Sequence, residues 1–146
     1  MMLRRILLGI GLVGALPAGA VDYLSVEAAA AIVYDAPSQK GKKLYLLKQY
    51  TPVESVVRLE GWVKVRDAEG SLAWIESRNL TNRRMVVITA SRGEVRQSDK
   101  ADAPLVFAAD KWVALEYLEA GAQGWVKVKA RDGATGYIKS TQVWGL

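Results

Sequence analysis

The sequence predicts an all-β protein built as two small β-barrels in tandem, preceded by a cleavable signal peptide. Three observations carry that prediction. A phrase is written twice, "GWVKVRDAEGSLAWI" at 61–75 and "GWVKVKARDGATGYI" at 124–138. Short runs rich in β-branched and aromatic residues alternate apolar with polar positions, and Gly, Asp, Asn, Pro and Ser punctuate them. The first twenty residues have a composition unlike the rest.

Those residues, "MMLRRILLGIGLVGALPAGA", set Arg4 and Arg5 before an apolar run from Ile6 to Leu16 and end on Ala18-Gly19-Ala20. Basic start, short apolar centre and small-residue end are the pattern of a signal peptide. The run is about half the ~20 apolar residues a spanning helix needs. Cleavage after Ala20 is therefore expected, with a mature start near Val21, no stable membrane span after cleavage, and a periplasmic or secreted product.

The duplicated phrase belongs to a longer repeat. Gly61 to Val65 align with Gly124 to Val128, and the same register matches Gly70 with Gly133, Ile75 with Ile138 and Ser77 with Ser140. Upstream, after a one-residue gap, Tyr50 falls on Trp112, Leu44 on Val106 and Val26 on Ile88. The chain after residue 20 thus reads as two copies of one unit, 21–82 and 83–146, meeting at "TNRR". A unit of about sixty residues is marginal alone, and the connection is short, so the copies are expected to share an apolar interface.

Within each copy the strands follow in order. In the first they are expected at Tyr23 to Glu27, Ala31 to Asp35, Leu44 to Leu47, Val53 to Arg58, Trp62 to Arg66 and Ala73 to Ile75, with partners in the second. "VEAAAAIV" at 26–33 is helical by composition, but its counterpart "ITASRGEV" contains Gly93, which points to strand, bend and strand. Val63 and Val65 take one face of "WVKVR", and Trp62, Lys64 and Arg66 the other. In the second copy Val126 and Val128 face inward and Trp125, Lys127 and Lys129 outward. Gly70 and Gly133 suit the positive φ of hairpin turns. About five short strands in such a length predict a closed or nearly closed barrel.

These residues resemble the bacterial SH3-like (SH3b) domain family, twice over. The opening is filled by "AIVYDAPS" at 31–38 and "GEVRQSD" at 93–99, and the middle by "YTPVES" and "KWVALEY". The duplicated phrase is the hairpin, and "SRNL" and "STQV" close the units. Tyr34 stands where the family usually has Arg, and Arg96 keeps it; Pro37 has Asp99 or Lys100 at its counterpart, so the two openings differ. The resemblance implies noncatalytic exported modules that bind cell-wall peptides or serve as targeting appendages of wall hydrolases.

Composition narrows the chemistry. There is no His and no Cys, which removes the commonest general base, the commonest zinc ligand and the thiolate nucleophile together. Asp67, Glu69 and Asp132 lie in hairpin turns, where Asp serves backbone geometry. No catalytic residue, metal site or cofactor is expected. The charge of +5 falls to +3 without Arg4 and Arg5. A nucleic-acid binder shows a strong basic patch, so no nucleic-acid partner is expected.

What remains is an aromatic and basic surface. Trp62, Lys64 and Arg66 share an outward face with Trp74 on the returning strand, and Trp125, Lys127 and Lys129 with Tyr137; Tyr34 marks the opening of the first copy. Aromatic faces stack on sugars or peptides while cations attract carboxylates. The expected partner is a cell-wall peptide or glycan, or an envelope protein. Packing competes for the same rings, and a structural or assembly scaffold of the envelope, without recognition of wall polymer, is the alternative.

Overall fold

The computed structural model describes residues 21–146, so the expected signal peptide lies outside the described residues. The first copy contains β1 (Tyr23–Val26), β2 (Ala30–Tyr34), β3 (Lys43–Lys48), β4 (Pro52–Leu59), β5 (Trp62–Arg66), β6 (Leu72–Glu76) and β7 (Leu80–Thr81). The second repeats them as β8 (Met85–Ile88), β9 (Arg92–Arg96), β10 (Leu105–Asp110), β11 (Ala114–Ala120), β12 (Trp125–Lys129), β13 (Thr135–Lys139) and β14 (Val143–Trp144). The sheets share one order, β3-β2-β6-β5-β4-β1-β7 and β10-β9-β13-β12-β11-β8-β14. A 3-10 turn precedes the last strand of each, at Ser77–Asn79 and Ser140–Gln142.

Alternation builds each core. Val26, Val33, Val53, Val65 and Ile75 meet in the first, and Val86, Ile88, Val95, Leu115, Val128 and Ile138 in the second. Because these come from strands throughout each sheet, both sheets curl round their cores. The expected barrel closure is corrected: β3 and β7 end one ladder, β10 and β14 the other, and neither pair of ends is hydrogen-bonded. The terminal strands β7 and β14 have only two residues each and already pair with β1 and β8. Lys43 and Lys48 on the edge strand β3 are exposed and discourage further pairing.

Hairpin turns are fixed by the residues that announce them. Gly70 and Gly133 take φ of 87° and 93°. Asp67 Oδ1 accepts from the backbone N–H of Glu69 and of Ser71, each at 3.0 Å, and Asp132 Oδ1 accepts from Ala134 N–H at 3.0 Å.

The junction departs from the expected apolar interface, being largely aromatic and cationic. The Arg84 guanidinium lies 5.6 Å from the Tyr23 ring and 5.1 Å from that of Tyr117, and donates to the Gly145 carbonyl at 3.0 Å. Tyr23 meets Trp144 edge to face at 5.2 Å. Arg83 pairs with Glu116 at 2.9 Å, and its carbonyl accepts from the fully buried Ser25 hydroxyl at 2.8 Å. The hydrogen bond it donates to Glu116 holds the Arg83 guanidinium above its already high ordinary pKa. Tyr50 lies between Arg83 and Arg131, 5.3 and 5.0 Å away. The apolar share comes from Met85 and Val87, which are buried beside the core of the second copy and line a cleft between the copies.

Candidate functional site

On the outward face of the first sheet, β2, β6 and β5 lie side by side. The register places Tyr34 opposite Trp74, and Trp74 opposite Lys64. Tyr34 meets Trp62 edge to face, with ring centroids 5.4 Å apart and planes at 83°. Tyr34 is buried, while Trp62, Lys64 and Trp74 are half-buried. No carboxylate pairs with Lys64 among the described residues. Apolar side chains flank the cluster: Leu59 stands opposite Trp62 and is 52% exposed, and Leu46 stands opposite Ile32 and is 62% exposed. Arg66, placed with this surface by alternation, is instead engaged with Glu54 at 3.0 Å, because the β4–β5 register sets the two opposite each other.

The second copy carries the same hairpin with a different surface. Tyr137 lies opposite both Arg96 and Lys127, and Trp125 opposite Lys139. Arg96 donates to Glu94 at 2.6 Å and to the Ala103 carbonyl at 2.9 Å. Lys127 sits 3.9 Å from Glu119 and 5.9 Å from the Tyr137 ring, and Lys139 lies 6.0 Å from the Trp125 ring. Where Tyr34 meets Trp62, its counterpart Arg96 is instead held by Glu94 and the Ala103 carbonyl. The cations of this face are largely engaged within the protein, and Lys129 lines the inter-copy cleft instead.

That cleft, of about 650 Å³, is the feature the sequence reading missed. It draws on the turn between β3 and β4, the linker, and the β10–β11 and β12–β13 turns of the second copy. The available signal was the alignment of Tyr50 with Trp112, since both line it. Among the described residues no three carboxylates gather as a metal site would require, and no helix is long and apolar enough to cross a membrane.

The family profile for the bacterial SH3 domain matches residues 27–82 and 95–145. The chain therefore belongs to the bacterial SH3 domain family and carries two copies of the domain. No curated protein matches it. Among solved structures it is similar to NlpC2 from Trichomonas vaginalis, at 12% identity over 86% of this chain and 48% of that one, with a TM-score of 0.40. NlpC1 from the same organism gives 13% identity, 88% and 47% coverage and a TM-score of 0.40. An NlpC/P60 family protein from Bacillus cereus ATCC 10987 gives 14%, 84%, 55% and 0.39. The chain spans about half the length of these proteins.

Proposed function

We propose that this chain is a noncatalytic exported module of the cell envelope whose first copy binds wall peptide or glycan across the face formed by Tyr34, Trp62, Lys64 and Trp74. The observation that carries the reading is the gathering of those four residues on three adjacent strands, with the Lys64 ammonium free of any carboxylate partner among the described residues. Half-buried indole rings offer flat apolar area for a sugar or peptide, and an ammonium beside them attracts its carboxylates. The matching outer face of the second copy is less suited to recognition, since Arg96 and Lys127 already have carboxylate partners.

One observation favours a protein partner, and with it the scaffold reading. Leu46 and Leu59 extend the aromatic face with exposed aliphatic area, which a wall polymer does not need. Co-sedimentation with purified wall sacculi separates the two readings. The proposal expects the chain to pellet with sacculi, and Lys64→Ala to pellet less while Lys127→Ala pellets as the parent does. A chain that stays in the supernatant at low salt contradicts wall binding and leaves the scaffold reading standing.

A further inference from the structure

We propose that the cleft between the two copies is a second binding site, for a short peptide bearing an aliphatic side chain and a free carboxylate. Its floor is apolar, formed by Met85 and Val87, both buried, and by Phe107, which is partly buried. Its rim carries Lys48, Lys129 and Arg131, all exposed, none with a carboxylate partner among the described residues. Of the carboxylates at the cleft, Glu116 is held by Arg83, and Asp132 accepts a turn N–H. The volume of about 650 Å³ lies within the range of sites for small ligands.

The backbone supplies a second, independent observation. Tyr50 and Trp112 occupy the third position of equivalent four-residue turns, closed by Thr51 N–H to the Lys48 carbonyl and Val113 N–H to the Asp110 carbonyl, each at 3.2 Å. Both take the left-handed conformation, with φ of 69° and 74°, where glycine is the usual residue. A side chain there costs on the order of 1–2 kcal/mol. For Tyr50 the two flanking guanidiniums offset that cost. Trp112 has a smaller return: it is 45% exposed, and a single cation, its neighbour Lys111, lies over its ring, at 4.7 Å. Two strained aromatics, one from each copy, are thus brought to one cleft.

The floor and the ring together decide the ligand class. Lys111 lies over one face of the indole, and Met85, Val87 and Phe107 suit an aliphatic side chain better than a sugar. The three rim cations then meet a carboxylate through charge-assisted hydrogen bonds. This site uses none of the four residues assigned to the outer face, so the two readings stand or fall separately.

The test titrates the isotopically labelled chain with N-acetyl-leucyl-alanine as the free acid and as its C-terminal amide, following the indole N–H signals. The free acid is expected to shift Trp112 saturably, with the amide about tenfold weaker or more. Lys48→Gln combined with Lys129→Gln should weaken the free acid by a similar factor. Arg131 is left intact because it rests on Tyr50. Equal binding of acid and amide overturns the proposal, as does undiminished binding by the double variant. It is equally overturned if Trp112 shows no saturable shift, or responds to N-acetylmuramic acid and not to the peptide.

Discussion

The Tyr45 hydroxyl donates to Asp67 Oδ2 at 2.9 Å, tying the edge strand β3 to the β5–β6 turn. Burial first, then the hydrogen bond and charge of Asp67, push this phenol from 10.0 to about 12. The unfolded chain therefore ionises first as pH rises. Below pH 10 the contribution to stability is complete; it falls between 10 and 12 and is gone above. Tyr23, raised by burial ahead of Glu54, adds a loss in the same direction. The measurement is therefore a difference: melting temperature against pH should drop less across that window in Tyr45→Phe than in the parent. Gly136 offers a sharper residue-scale test, because a Cβ there would lie 2.6 Å from both the Arg96 carbonyl oxygen and Val95 Cγ1. Its counterpart in the first copy is Ala73, buried in the core, so only the second copy demands glycine. Gly136→Ala should cost about 1–3 kcal/mol in chemical denaturation.

At the scale of elements, the strands with a buried face were legible because alternation is a local signal: Val63 and Val65 turn inward, and Trp62 and Lys64 outward. The two-residue strands β7 and β14 were not, since two residues carry no period. The same distinction governs the site. Tyr34, Trp62, Lys64 and Trp74 share a face through one hairpin and its neighbouring strand, which the duplicated phrase announces. The pairing of Arg66 with Glu54 depends on a cross-strand register interrupted by a bulge between Ser55 and Val57. Tyr50 and Trp112 were visible as aligned aromatics, but nothing local predicts that their turns take left-handed backbone or meet in one cleft. That strain is measurable. Trp112→Asn, which tolerates the conformation, should match or exceed the parent in thermal stability, whereas Trp112→Val, β-branched at a positive φ, should lose about 1–2 kcal/mol.

Over the whole molecule, the stretch "TNRR" reads in sequence as a polar interruption, yet Arg83 and Arg84 are the centre of the junction. Each guanidinium reaches residues of both copies, Arg83 through Tyr50 and Glu116, Arg84 through Tyr23 and Tyr117. Two cation–π contacts and a hydrogen bond from a charged group make Arg84→Ala cost about 2 kcal/mol or more. The parent should unfold in one calorimetric transition and the variant several degrees lower; two well-separated transitions in the parent would show that the copies are not coupled. Such coupling explains why one small unit is written twice without both outer faces having to recognise a ligand. The most direct measurement of that division of labour is a backbone and indole chemical-shift map of the labelled chain with soluble wall fragments containing both glycan and peptide. The account predicts the strongest shifts at Tyr34, Trp62, Lys64 and Trp74, with Arg96, Trp125, Lys127 and Tyr137 little changed. Shifts of equal size at both sets, or at the second alone, would contradict it.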